Sequence, residues 1–304
     1  MLKRAARFTT DKLPWLIIAA GLVGFLWPSV ANFLSPVTPY LLAVMVAGSG
    51  FNLSLGQVFQ VRSTLKLTSL ALLLQLSLLP LLGFGLYQIL PNSGLAIGML
   101  ALGVAPSEIT SVLMTMLAGG NLVLATRLMA FSIMIAAFTT PLWLGLFLGQ
   151  RVPFDFEGML AELGLVITLP FLLTSGLRTR FSVLAKYEAE FSGMSALAVI
   201  ILILVVGGSL ASFGLSREVL WLALACLGFN LGGYLLGYLT GLALKQSASQ
   251  TTALIFSSGM REFGIATTVA INFLPAGAAL APALYGFIMM TSASLLVARL
   301  KNQA

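Results

Sequence analysis

Four charged side chains lie inside otherwise apolar stretches of this chain: Glu108, Arg127, Arg261 and Glu262. An unpaired charge at the centre of a membrane helix costs about 2.5–3.5 kcal/mol, so four approach about 10 kcal/mol, the stability of a whole domain. Their charges cancel, which makes mutual pairing the economical arrangement. Ile109, Thr110 and Ser111 follow Glu108, while Ser257, Ser258 and Met260 precede Arg261, and Gln75 stands five residues before Pro80. Carboxylates, guanidinium groups, amides and hydroxyls at such depth suit ion coordination, proton carriage or recognition of a charged solute. The competing reading is two ion pairs that only lock helices together. Arg127 has a further alternative, because it lies near the start of its apolar stretch and could snorkel to the surface.

Other chemistry is excluded by composition. The 304 residues include no histidine and one cysteine, Cys226, so Ser–His and Cys–His catalysis and Cys/His metal sites are absent. Asp11 and Asp155 are the only aspartates and sit in polar flanking sequence, which removes an intramembrane aspartyl dyad. No enzyme is read here. Apolar residues make up 59% of the chain and charged residues 8%, with a mean hydropathy of +1.04. Soluble domains carry about 25% charged residues, so this chain must be dissolved in lipid. Transport, conduction or a structural role remains.

The elements that must position the charges follow from the length of a membrane crossing, about 20 apolar residues. Ten helices are predicted, or eight or nine if short loops are read differently, near residues 14–33, 37–57, 65–89, 93–119, 121–148, 157–177, 190–212, 217–244, 247–273 and 277–298. The basic start before Trp15–Leu26 reads as a short amphipathic arm and an uncleaved first helix, since no small-x-small cleavage site follows. With the N-terminus in the cytoplasm, Lys3, Arg4, Arg7, Lys12, Arg62, Lys66, Arg178, Arg180, Lys186, Lys245, Arg299 and Lys301 fall inside, and only Arg151 and Arg217 outside. Positive charge stays on the cytoplasmic side of membrane proteins, so a multi-pass protein of the inner membrane is expected, with both termini cytoplasmic. The net charge of +7 is then a topology signal and indicates no nucleic acid; no protein partner is indicated either.

The fourth and ninth predicted spans are interrupted. The first break runs Ala105-Pro106-Ser107-Glu108-Ile109-Thr110-Ser111, the second Phe256-Ser257-Ser258-Gly259-Met260-Arg261-Glu262-Phe263-Gly264. Each joins a helix breaker to a deep glutamate, and Glu108 and Glu262 are 154 residues apart, close to half the chain. A five-plus-five duplication would give two inverted repeats, 1–150 and 151–304, within one membrane domain spanning 1–304. The fold class expected is thus all-α and polytopic, with discontinuous crossing helices 4 and 9. Half-helix N-termini at the crossing favour an anionic group. Alternatively Pro106 only kinks a packed helix and the glycines permit close packing. Asn52, after a run of small residues, is read as packing rather than cavity lining. Thr115, Thr126, Ser132 and Thr139 are given no role, since such hydroxyls usually bond their own helix.

At these residues the chain resembles the bile acid/sodium symporter family. Gly259-Met260-Arg261-Glu262-Phe263-Gly264-Ile265-Ala266 is similar to the family's G-M-Q-N-x-G-L-A, and Gln75 with Pro80 to its Q-x-x-x-x-P. Pro106 through Gly120-Asn121 is similar to its P-G-G-T-x-S-N segment and the Gly-Asp turn after it. The resemblance implies ten helices of the sodium/proton-antiporter type, a panel domain, and a core domain in which helices 4 and 9 cross. It implies import of organic anions, bile acids or small carboxylates, usually with two sodium ions.

The departures concern those ions. Where the family has Ser-Asn this chain has Ser111-Val112, and the further hydroxyl positions are Ala125 and Met129. The family's glutamate at the second sodium is Ser257, its glutamine is Arg261, and the asparagine that touches substrate is Glu262. Arginine stays protonated and would repel a sodium ion nearby. Sodium is therefore a possible but doubted cofactor. Arg261 is expected to take its place by donating to Gln75 and to carbonyls around Ser258, with Arg127 and Glu108 paired at the other site. Desolvation and the surrounding donors pull in opposite directions on the two glutamates, which leaves a coupling proton on one of them open. A small organic anion moved by alternating access is the function expected, with a sodium symporter, a proton-coupled carrier or a channel as alternatives. A channel would need a continuous polar stripe, and the sequence offers only a central cluster; a non-transporting scaffold is the remaining rival.

Overall fold

The computed structural model describes residues 6, 8, 9, 12–51, 65–91, 94–149, 155–214, 216–275 and 277–301. Lys3, Arg4, Arg7, Asn52, Arg62 and Arg151, along with the end of the second predicted span, lie outside them. Helices α1 (Leu13–Leu26), α2 (Pro28–Leu34) and α3 (Thr38–Phe51) open the chain, followed by α4 (Leu65–Ile89). Next come α5 (Gly98–Val104), α6 (Thr110–Leu117) and α7 (Leu122–Leu148). A π-turn at Gly164–Thr168 joins α8 (Phe156–Leu163) to α9 (Leu169–Arg180). The chain ends with α10 (Glu188–Phe213), α11 (Arg217–Ala243), α12 (Ala248–Gly259), α13 (Phe263–Phe273) and α14 (Leu280–Lys301). Among the described residues there is no strand, only one isolated β-bridge.

Helix starts are written locally. Asn121, Asp155 and Ser216 each accept a bond from the backbone amide three residues on, and Ser247 with Gln250 forms a reciprocal capping box. Six stretches are long and apolar enough to cross a bilayer: Leu65–Ile89, Leu122–Leu148, Phe156–Arg180, Ser182–Gly208, Arg217–Ala243 and Leu280–Leu300. The first predicted span bends by 106° where Trp27-Pro28 interrupts it, and makes a seventh only if its two halves cross as one. Large apolar side chains such as Trp15, Phe33, Leu73, Phe138 and Leu146 point outward, which only lipid tolerates on this scale. The protein is a multi-pass membrane protein.

Two groups of helices pack side by side. In the first, α10 lies against α1, α2 and α3, and α9 against α3. Small residues bring α1 and α10 together: a β-carbon on Gly24 would stand 1.9 Å from the Leu204 carbonyl oxygen. The second group holds α4, α5, α6, α7, α11, α12, α13 and α14, with α11 on α12 and α4 on α5 as extensive seams. The interrupted fourth and ninth predicted spans both fall in this second group.

Candidate functional site: the crossing of two broken helices

The site is built from two segments that leave the helix. Pro106 lacks a backbone donor, so the chain runs extended from Ala105 (φ −63°, ψ 149°), and after Gly259 it is extended at Met260 (φ −108°, ψ 116°). The two segments meet as an antiparallel bridge between Ser107 and Arg261. Glu108 N–H donates to the Met260 carbonyl at 3.0 Å, and Glu262 N–H to the Pro106 carbonyl at 2.8 Å. In extended chain successive side chains point to opposite faces. Ser107 and Arg261 therefore share one face, and Glu108 and Glu262 the other.

On the first face, the chain's own donors satisfy the carbonyl ends of α5 and α12. Arg261 Nη2 donates to the Ala105 carbonyl. Asn230 Nδ2 and the Tyr285 hydroxyl both donate to the Gly259 carbonyl, at 2.7 and 2.6 Å. Ser107 Oγ donates to the Ser257 carbonyl at 2.8 Å, and Thr140 Oγ1 to that of Val104 at 3.1 Å. The two bridge amides find hydroxyls outside the crossing: Ser107 N–H donates to Ser132 Oγ at 2.8 Å and Arg261 N–H to the Tyr285 hydroxyl at 3.2 Å. Helix C-termini carry partial negative charge, so the guanidinium stands where a cation is stabilised.

On the second face the two carboxyls take the amide ends of α6 and α13. Glu262 Oε2 accepts from Ile109 N–H and Glu108 Oε1 from Thr110 N–H, both at 3.4 Å, and Gly264 N–H also bonds the Glu262 carboxyl. The adjacent amides of residues 109 and 110 thus hold the two carboxyls next to each other, within hydrogen-bonding reach. The Thr110 hydroxyl touches Glu108 Oε1 at 3.4 Å and Met290 Sδ at 3.7 Å.

The predicted site residues are gathered, but with different partners. Glu108, Ser111, Gln75, Arg127, Ser257, Ser258, Met260, Arg261 and Glu262 are all buried, and Ile109 and Thr110 half-buried. The two glutamates face each other instead of each meeting an arginine, because the bridge puts Arg261 on the opposite face. Glu108 meets Glu262 and Thr110, not Arg127 as expected. Arg127 is fully buried on α7, so it does not snorkel to the surface. Gln75 Nε2 donates to Ser258 Oγ at 3.0 Å, and Arg261 reaches Ala105 rather than Gln75 or Ser258.

Ser132, set aside in the sequence as a self-bonding hydroxyl, receives the Ser107 amide from the extended segment between α5 and α6. Thr115 and Thr139 do bond their own helices. Sequence reasoning also missed Ser107, Thr140, Asn230 and Tyr285. A usable signal existed for Asn230, whose amide sits in a 27-residue apolar helix and must find a partner there; its Oδ1 accepts from Ser292 Oγ at 2.6 Å.

A sodium ion at the second family position does not fit these residues. Ser257 Oγ is buried without a hydrogen-bond partner and brings no charge, while the Ser257 and Met260 carbonyls already accept from Ser107 and Glu108. At about 4 Å and an effective dielectric near 20, the Arg261 guanidinium would oppose such an ion by about 4 kcal/mol.

Interrupted helices with charged residues buried at their crossing define a membrane carrier of small solutes rather than an enzyme. The chain belongs to the Sodium Bile acid symporter family, whose family model matches residues 39–220. It is 24% identical over 268 residues to the uncharacterised sodium-dependent transporter YocS of Bacillus subtilis (strain 168), covering 87% of this chain and 83% of that protein. It is 24% identical over 302 residues to YbaS of the same organism, covering 96% and 97%. Over 246 residues it is 26% identical to BASS1 of Arabidopsis thaliana, whose name reads "Probable sodium/metabolite cotransporter BASS1, chloroplastic"; the match covers 79% of this chain and 60% of the plant protein.

Proposed function

We propose that this chain is a secondary active transporter of a small organic anion, working by alternating access in the inner membrane without the two-sodium cycle. The observation that carries the reading is the Ser107–Arg261 crossing, with Arg261 donating to the Ala105 carbonyl. In a carrier of this kind the two half-helix pairs hold the solute between one group of helices and the other, and rocking of one group against the other exposes it to either side. A clear seam exists for that motion: α13 meets α3, and a cleft of about 230 Å³ lined by Ser35, Thr38, Thr268 and Asn272 opens along it. Glu108, Arg261 and Glu262 are at most 2% exposed, so the crossing is sealed in this conformation.

In this reading the chain crosses ten times, as two inverted repeats over 1–150 and 151–304, with both termini cytoplasmic. The pairs Ser107 and Arg261, Ser132 and Tyr285, and Gln75 and Asn230 support the duplication. They take corresponding places around the crossing and are separated by 154, 153 and 155 residues. Arg261 does the work of an ion, because its charge lies at the carbonyl ends that a sodium ion would otherwise neutralise. Arg127 supplies a second fixed cation on α7 in the same group of helices.

Solute counterflow in proteoliposomes tests the carrier, with pyruvate, pantoate and cholate as trial anions. A carrier exchanges labelled for unlabelled anion faster than it gives net flux, whereas a channel shows no acceleration. No saturable uptake of any anion across a broad carboxylate panel would overturn the reading. The names of two relatives favour a second reading, a sodium-coupled symporter. A saturable sodium requirement, compared with potassium and choline, would select it.

A further inference from the structure

The second face of the crossing holds two acids in a place where an ordinary protein keeps one or none. Glu108 and Glu262 are buried at 2% and 0% exposure, and the consecutive amides of Ile109 and Thr110, at the start of α6, donate to one oxygen of each. The remaining oxygens, Glu108 Oε2 and Glu262 Oε1, have no donor among the described residues. Among the described residues, the donors that reach the pair are the amides of Ile109, Thr110 and Gly264, and the Thr110 hydroxyl.

Among the described residues, the groups that touch the pair offer no countercharge. From α14 comes the thioether of Met290, and beside Gly264 stand Met45 of α3 and Leu202 of α10, all apolar. Arg261 leaves its strand on the opposite face and ends at the Ala105 carbonyl. Arg127, the charged residue of α7, is not among the groups acting on either carboxyl. Two ionised carboxylates in contact without a cation repel strongly in a water-poor site, and such dyads share a proton.

We infer that Glu108 and Glu262 form a proton-carrying pair, and that the transporter proposed above couples its solute to protons at this pair. The inference rests on the carrier reading for its cycle and on the geometry alone for the shared proton. With one proton the pair is singly negative and repels an anionic solute at the α6 and α13 amide ends. A second proton, taken from the side of entry, makes both acids neutral hydrogen-bond donors to the solute's carboxylate. It also removes the charge that must move past the apolar side chains of α3 and α10. On the far side the anion leaves, the second proton follows it, and the pair returns to its shared-proton state. One proton accompanies each anion.

Infrared spectroscopy of the reconstituted full-length protein tests the shared proton without any solute. At neutral pH the unmodified protein is expected to show the C=O stretch of a buried protonated carboxyl, shifted in deuterated water, and lost in Glu108→Gln and in Glu262→Gln. Both variants are isosteric, and their elution from a sizing column shows whether they remain folded. Absence of the band in the unmodified protein, or its survival in both folded variants, overturns the inference. The coupling is read in proteoliposomes loaded with a pH-sensitive dye and given pyruvate or cholate. Saturable uptake with lumenal acidification, and loss of the acidification in Glu108→Gln, is expected. Uptake with no pH change overturns proton coupling and leaves the carrier standing. No uptake of any anion counts against the carrier, and the infrared band alone then decides the pair.

Discussion

Ser107 and Arg261 lie opposite each other in a single antiparallel bridge, and each sends its backbone amide to a hydroxyl on another helix, Ser132 for one and Tyr285 for the other. This small piece of sheet at the centre of a helical protein decides which side chains share a face. It sets the guanidinium of Arg261 against helix carbonyls and leaves the two glutamates with helix amides and with each other. Four measurements follow from that arrangement and from the packing that holds it.

Sodium should not stabilise the unmodified protein. Its melting temperature in detergent is expected to be the same in sodium and potassium. Installing the family's groups by Arg261→Gln together with Ser257→Glu removes the fixed cation and supplies a carboxylate. That double variant should gain sodium-dependent stabilisation of about 2.7 kcal/mol at a hundredfold excess over Kd, a shift of several degrees. A sodium-dependent shift in the parent protein would show that Arg261 does not stand in for the ion.

Tyr285 and Asn230 are expected to matter for both folding and transport. Tyr285→Phe deletes the donor to the Gly259 carbonyl and the acceptor for the Arg261 amide, leaving that buried amide unsatisfied. Asn230→Leu removes the other donor to Gly259. Each should lower stability by about 1–3 kcal/mol. Thermal melts of the two variants that match the parent would mean that the crossing does not depend on these bonds.

Two glycines of α11 should behave in opposite ways. A β-carbon on Gly237 would stand 2.3 Å from the Leu254 carbonyl oxygen, and the backbone of α12 cannot retreat without opening the α11–α12 seam. Gly228 has nothing within 4 Å and faces outward. Gly237→Ala is expected to cost at least about 1–3 kcal/mol through overpacking. Gly228→Ala should be neutral or gain about 0.5–1 kcal/mol, since alanine is the better helix former. Equal effects in denaturant titrations would argue against the packing described.

The orientation is open to a labelling test, because Cys226 is the only cysteine and is buried. In a Cys226→Ala background, cysteine placed at Lys186 should react with a membrane-impermeant thiol reagent only from the cytoplasmic side. At Arg217 it should react only from outside; both positions are exposed. The reverse pattern would invert the proposed topology.

Several features of this protein were legible from residue order because they depend on local physics. A chain this apolar can fold only in lipid, and a proline at 106 and a glycine at 259 each stand beside a deep glutamate where a break falls. The capping residues Asn121, Asp155, Ser216 and Ser247 start helices through bonds that span three residues. Even the depth of Glu108, Arg261 and Glu262 could be counted along the apolar stretches. Charge pairing could not be read that way. Opposite charges at equal depth suggest ion pairs, yet the carboxyls meet each other and the guanidinium meets a carbonyl.

The difference arises because register across the bridge, not depth, determines which way each side chain points. That register joins residues about 150 positions apart, and a slip of one residue would exchange the two faces. For the same reason Ser132 looked like a self-bonding hydroxyl and Asn230 and Tyr285 went unnoticed. Each has its partner at the break of another span, 24 to 29 residues away in the chain and adjacent only after packing. Residue order determined the solvent, the breaks and the buried charges. Tertiary structure decided which of those charges touch, because an extended segment alternates its side chains and only the opposing strand sets the phase.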